Sequence, residues 1–298
     1  MTTPGSARAA ANLRSIYAML IAVAMFSVMD TAMKLLAATY PAVQVAALRG
    51  LVSLPLVFAY VAWRGAFRGA LRVRWPLHLL RGALGIAMLT LFAFGLKNLS
   101  LAEAYSIFFI APSLITALSV LFLKEHVDAA RWIAIGVGLL GVLVVLRPDG
   151  AGMLTLGGLA VLAAAGCYAV SAITGRIINR SDRSEHMVLW LMLMMAVGAS
   201  ILAAPGWVGV RAADFWLLSG LAVSGFFGQL AITEAFNSGQ ASVVAPFEYS
   251  ALAWGVAIDW LLWNALPDRY TLVGAAIIIA SGIYLVRKER AHASTDHP

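Results

Sequence analysis

Apolar stretches long enough to cross a bilayer, about 20 residues each, follow one another from near the first residue to near the last, parted by short turns that carry most of the arginines. This pattern admits few folds. In lipid every backbone N–H and C=O must be satisfied within the chain, so repeated runs of this kind make a bundle of transmembrane helices and leave no room for a soluble domain. Composition agrees: 62% of the 298 residues are hydrophobic and 12% are charged, against roughly 25% charged in an ordinary soluble domain.

With Gly, Pro and charge as punctuation, the expected fold is an all-α membrane protein of ten transmembrane helices. They run over Ser15–Leu36, Ala42–Trp63, Leu77–Leu96, Leu101–Leu123, Arg131–Leu146, Leu154–Ile178, Met187–Ala204, Phe215–Glu234, Ala241–Trp263 and Leu272–Val286. Lys and Arg collect on alternate connections: fourteen on one side, among them Arg64, Arg68, Arg72, Arg74, Arg180 and Arg183, against four on the other, Lys97, Arg147, Arg211 and Arg269. Positive residues stay cytoplasmic, so both termini are expected in the cytoplasm of a bacterial inner (plasma) membrane. The first span exceeds the apolar core of a cleaved signal peptide, and polar tails such as AHASTDHP are expected to be unstructured.

The formal net charge of +7 follows from this topology. The basic residues lie between spans, not along one aromatic-laced face, so no nucleic-acid partner is expected. The bilayer and a small-molecule substrate are the expected partners, and a monomer suffices. Cys167 is the one cysteine, which excludes an internal disulfide framework; it reads as a packing residue.

A duplication lies in the order of the elements. Asn98–Arg147 and Asn237–Arg287 each run as a long helix, a polar turn containing Asp (Asp128, Asp268) and a glycine-bearing helix. Two halves of five helices, 1–149 and 150–298, are therefore expected. Because five is odd, the second half enters the membrane upside down, an inverted repeat common among secondary transporters.

The stretches HLLRGALGIAMLTLFAFGLKNLSLAEA, IAPSL, FLKEHVDAARWIAIGVGLLGVLVVLRP, APFEYSALAW and PDRYTLVGAAIIIASGIYLVRK resemble the drug/metabolite transporter superfamily, in its EamA-like ten-helix branch, over nearly the whole chain. The resemblance implies two pseudo-symmetric lobes around a central cavity, reached by the first, third, fourth, sixth, eighth and ninth helices. It does not specify a substrate. Pro112 of the first half maps onto Ala251 of the second, with Pro246 five residues earlier, and Glu125 maps onto Asn264, so the two halves are expected to break at different places.

A charge in the bilayer interior costs on the order of 2.5–3.5 kcal/mol, so depth decides its meaning. Asp30 lies roughly 22 Å into the first helix, too deep for its short side chain to reach either interface, and is the foremost functional candidate. Lys34, one turn on and on the same face, can pair with Asp30, stretch outward or touch substrate. Arg49 and Arg81 stand roughly 10 Å and 6 Å from their helix starts, within reach of snorkelling, while Glu103, Glu234 and Asp259 near helix ends suit solvation or capping. Glu248 follows Pro246, which removes a backbone hydrogen bond, and together they can make a cation or ammonium site, with Tyr249 alongside. On helices that the resemblance places at the cavity, Tyr105, Phe109, Tyr168 and Trp254 offer aromatic faces to an apolar side chain or an ammonium. Gln229 is polar within the eighth helix, and Pro112 and Pro246 are helix-breaking positions.

No catalytic constellation appears. There is no His/Asp/Glu cluster of metal-ligand spacing, no GxSxG elbow and no GxxxxGK[ST] phosphate loop, so neither cofactor, metal nor direct ATP drive is expected. The expected function is secondary transport of amino acids or similar small polar metabolites, outward, by alternating access. The alternative is uptake of a nucleotide-like metabolite such as S-adenosylmethionine; a membrane enzyme or scaffold is the remote third.

Overall fold

The computed structural model of the chain describes residues 4–123, 129–146, 155–179, 181–238, 247–248 and 250–295. They are helical almost throughout, with no strand among them. In order the helices are α1 (Pro4–Ala37), α2 (Ala42–Trp63), α3 (Trp75–Leu96), α4 (Leu101–Phe108), α5 (Ala111–Leu123), α6 (Ala129–Leu146), α7 (Leu156–Ile178), α8 (Ser184–Met194), α9 (Phe215–Ser238), α10 (Ser250–Trp263) and α11 (Arg269–Thr295). Among the described residues six stretches are long and apolar enough to cross a membrane: Arg14–Ala37, Ala42–Trp63, Trp75–Leu96, Leu156–Ile178, Ser184–Gly206 and Ala212–Ala235.

Three local features depart from straight, sharply bounded spans. The polar tails are helical where they were expected to be unstructured: α1 begins at Pro4, a residue suited to a first helical turn, and α11 continues to Thr295. Alanine-rich sequence such as Ala9–Ala10–Ala11 carries the helix outward at little entropic cost. The fourth span is divided at Phe109–Ile110. Pro112 has no N–H to give to the carbonyl four residues back, that of Phe108, where α4 ends. Beyond α8 the chain forms a π-helical turn, Met195–Ala199, before a last α-turn, Ser200–Ala203.

The most extensive packing joins α1 to α9, α3 to α7 and α6 to α11; α2 lies against the π turn after α8, and α4 against α10. Lipid tails are as apolar as leucine, so helices in a bilayer are held by close van der Waals approach through small residues. A methyl added at Gly95 would lie 3.0 Å from the Gly157 carbonyl oxygen, and one at Gly141 2.9 Å from that of Gly274. Large apolar side chains such as Ile201, Leu202, Phe215, Trp216 and Leu261 are exposed instead, as a lipid-facing surface requires.

Polar straps close the two ends of α2. Near its start, Gln44 exchanges hydrogen bonds with the Val208 backbone (2.6 and 2.9 Å), and Tyr40 donates to Asp214 (2.5 Å), which also pairs with Arg211 (3.0 Å). Beyond its end, Arg64 pairs with Glu185 at 3.1 Å, His186 meets the Ala66 carbonyl at 2.8 Å and Trp190 donates to Ala70 at 2.8 Å. The same end holds Asp182. Burial would raise its carboxyl, but hydrogen bonds from Ser181 (2.8 Å), the His78 ring (2.9 Å) and the Arg74 backbone (3.1 Å) outweigh that and hold it below the ordinary 3.8. A carboxyl held low contributes stability that is complete above its unfolded value, about 3.9, and vanishes as pH falls through the folded value. Asp182→Asn is therefore expected to lower the unfolding temperature at about pH 6 and to converge on the native protein as pH falls through the folded value; thermal scans of both proteins against pH measure this.

Candidate functional site

The polar face of α1 begins with hydroxyls that serve their own helix. Ser27 donates to the Val23 carbonyl (2.9 Å) and Thr31 to that of Ser27 (2.7 Å), which removes their need for partners elsewhere. Asp30, between them, points inward at 7% exposure and accepts a hydrogen bond of 2.9 Å from the Tyr105 hydroxyl on α4. Arg49 of α2, 5% exposed, acts on the same carboxylate electrostatically. Its Nη1 meets only the Met195 sulfur, at 3.7 Å, and its Nε has no hydrogen-bond partner among the described residues. Tyr105 fits because Gly255 of α10 has no side chain: a methyl there would lie 2.8 Å from the ring.

Lys34 does not complete this cluster. Its ammonium donates to the Leu99 carbonyl (2.9 Å), lies 3.6 Å from Asp259 and sits 4.5 Å over the Trp263 ring. Asp259, 1% exposed, accepts from the Leu101 and Ala102 backbone N–H groups at 3.1 and 2.9 Å. It therefore caps α4 from another part of the chain, beside the local capping box of Ser100 and Glu103. The pairing of Lys34 with Asp30 that their spacing allows is replaced by a structural one. The reason is geometric: one helical turn carries Lys34 past Tyr105 to the level of the α4 N-terminus, where orphan amides have drawn Asp259 in.

A second, half-buried cluster lies further along the bundle. Tyr168 of α7 faces the fields of both Glu248, on the short turn before α10, and Arg81 of α3. The Arg81 guanidinium packs over Gly175, where an added methyl would lie 3.5 Å from its Cζ. Its Nε and Nη1 are sealed from solvent with no hydrogen-bond partner among the described residues. Arg49 thus turns inward, and Arg81, though only half-buried as a residue, keeps its Nε and Nη1 sealed within the bundle; donors left without a partner there cost about 1–3 kcal/mol.

Aromatic rings join the clusters. Tyr105 lies near-parallel to Phe92 at 6.5 Å, Phe92 meets Phe108 edge-on at 5.6 Å, and Phe108 reaches Tyr168 at 5.4 Å. Such an arrangement holds charge of either sign within the bundle and presents flat apolar faces between, which suits a small zwitterion with an apolar or aromatic part.

The remaining candidates fall elsewhere. Phe109 is buried in the main core. Gln229 is half-buried, and its backbone carbonyl accepts from Thr233 at 2.7 Å. Trp254 is 45% exposed, and Gly255 is the α10 residue that meets Tyr105. Pro112 is the second residue of α5, while Pro246 and Tyr249 lie outside the described residues. Sequence reasoning left out Phe92, Phe108 and Gly255, which nothing in the chain distinguishes from ordinary packing residues. It assigned Arg49 and Arg81 to the interface, although an intramembrane cation is by default a functional candidate.

The EamA-like transporter family model matches the chain twice, over residues 13–147 and 155–287. The pseudopaline exporter CntI of Pseudomonas aeruginosa (strain UCBPP-PA14) is 27% identical over 271 residues, covering 89% of this chain and 93% of its own. A riboflavin transporter of Vibrio cholerae is 27% identical, covering 84% of each chain. An S-adenosylmethionine uptake transporter of Rickettsia prowazekii is 26% identical over 91% of this chain and 92% of its own. A solved crystal structure shares the fold, with a TM-score of 0.65 at 18% identity over 94% of this chain and 99% of its own. Both halves of the sequence carry the same signature, and the relatives that match it end to end move small metabolites across bacterial membranes: this multi-pass membrane protein belongs to the EamA-like transporter family, a transporter and not an enzyme.

Proposed function

We propose that the chain is a secondary transporter that exports amino acids or similar small polar metabolites across the inner membrane by alternating access. The observation that carries this reading is the pair of charged clusters, the buried Asp30–Tyr105–Arg49 and the half-buried Arg81–Tyr168–Glu248, linked through Phe92 and Phe108. A site between the helices, with carboxylates for an ammonium and rings for a side chain, is the kind that rocking lobes expose first to one side and then to the other.

In this reading residues 1–149 and 150–298 are inverted five-helix repeats forming ten spans, with both termini cytoplasmic. The packing partners support it. Exchanging the first span with the sixth, the second with the seventh and so on turns the α1–α9 contact into α7–α3, and returns α2–α8, α4–α10 and α6–α11 to themselves. The separate family matches to 13–147 and 155–287 support it as well. The arginine-rich end, with Arg64, Arg74 and Arg183, is the cytoplasmic face under the positive-inside rule.

Asp30 and Glu248 are the ammonium-binding candidates. Asp30→Asn keeps the size of the side chain and an acceptor for Tyr105 but removes the charge. Losing a hydrogen bond to a charged group is worth about 1.5–3 kcal/mol, so transport in proteoliposomes is expected to fall roughly tenfold to a hundredfold with little change in unfolding temperature. Full activity in this variant would make the carboxylate architectural. The relative named as an S-adenosylmethionine uptake transporter, and the Phe108–Tyr168 ring pair, on which an adenine can stack, favour a second reading: uptake of a nucleotide-like metabolite. Competition between adenosine compounds and amino acids for binding to the reconstituted protein separates the two.

A further inference from the structure

We infer that Arg81 is the anion-binding half of the substrate site, and that its ligand is the carboxylate of a monoanionic or zwitterionic metabolite, an inference that rests on the transport reading and gives it a substrate class. Four observations lead there. The Nε and Nη1 groups are buried with no hydrogen-bond partner among the described residues. No ion pair within 4.0 Å joins Arg81 to an acidic side chain there, although Lys34, Arg64, Arg183 and Arg211 all have one. The guanidinium lies against Gly175, where an added methyl would stand 3.5 Å from its Cζ. Tyr168 lies within the electrostatic reach of both this cation and Glu248, so a group for negative charge and one for positive charge share the neighbourhood of one ring.

A buried guanidinium with idle donors is unfavourable in the empty protein, and the deficit is removed when an oxyanion enters. Arginine suits this task because its planar donors match a carboxylate or a phosphate. Charge balance selects between these. A phosphate dianion calls for a second cation, yet Lys34 is paired with Asp259 and Arg49 lies in the other cluster, beside Met195; one guanidinium balances one carboxylate. A zwitterion laid across Tyr168 then has its carboxylate on Arg81, its ammonium toward Glu248 and its side chain along Phe108 and Phe92.

The test uses the full-length protein with Arg81→Lys and Arg81→Met. In proteoliposomes, radiolabelled L-leucine and L-phenylalanine are compared with their carboxamides. The native protein is expected to move the acids at least tenfold faster than the amides. Arg81→Met is expected to bring the acids down to the amide rate, and Arg81→Lys to restore part of the difference. Equal discrimination in native protein and Arg81→Met overturns the inference while leaving transport standing. If the native protein moves neither series, amino-acid transport fails, and a second readout then decides the inference alone; the same readout decides it if the variants do not fold. Native protein in nanodiscs is treated with phenylglyoxal, and the Arg81 peptide is followed by mass spectrometry. Acetate is expected to slow its modification several-fold and acetamide to leave it unchanged. Equal rates with the two additives, or an Arg81 that never reacts, overturn the carboxylate site.

Discussion

Asp259→Leu is expected to destabilise the protein by about 3–5 kcal/mol, a drop in unfolding temperature on the order of 10 °C. Three groups lose their partner at once: the Lys34 ammonium and the Leu101 and Ala102 amides. In lipid none of them can turn to bulk water, and the Leu99 carbonyl alone does not balance the charge of Lys34. Asp259→Asn keeps one acceptor for an amide and is expected to cost less. Adding Lys34→Met to Asp259→Leu removes the orphaned cation, so the double variant is expected to be more stable than Asp259→Leu alone. Thermal unfolding of the four proteins in one detergent closes a double-mutant cycle; additive losses would show that the two side chains do not depend on each other.

The second large effect is expected at Gly50. A methyl there would lie 2.8 Å from the Ala196 Cα and from the Met195 carbonyl carbon, both backbone atoms that no rotamer change can move. Gly50→Ala is therefore expected to push α2 away from the π turn and to cost about 3 kcal/mol. It also shifts Arg49, the adjacent residue, so transport is expected to fall together with stability. Gly136→Ala is the control, since nothing lies within 4 Å of its added methyl; equal unfolding temperatures for the two variants would mean that the close approach has no energetic weight.

The architecture was legible because bilayer thickness forces a length on each helix and charge marks its ends, so hydropathy placed Ala42–Trp63 with the bounds of α2. The depth of Asp30 was legible for the same reason, and its short side chain left it only the interior. Partners were not legible. Spacing of four puts Lys34 beside Asp30 on one helix, but the acceptor that takes Lys34 is 225 positions later in the chain and is chosen by the α4 N-terminus. Arg49 and Arg81 were misjudged because distance along a helix gives depth and not azimuth: a long side chain 6–10 Å from an interface goes outward only if its helix face allows it. Phe92 and Phe108 carry no signal of their own, since a phenylalanine facing lipid and one facing a ligand look alike in sequence.

The cap on α4 also has a consequence during synthesis. The Leu101 amide waits for an acceptor 158 residues further along, and a ribosome adding roughly 5–20 residues per second needs on the order of ten seconds to deliver it. Through that interval only Ser100 and Glu103 serve the first turn, so nascent α4 cannot settle before α10 emerges, and these distant segments must mature as one unit in the membrane.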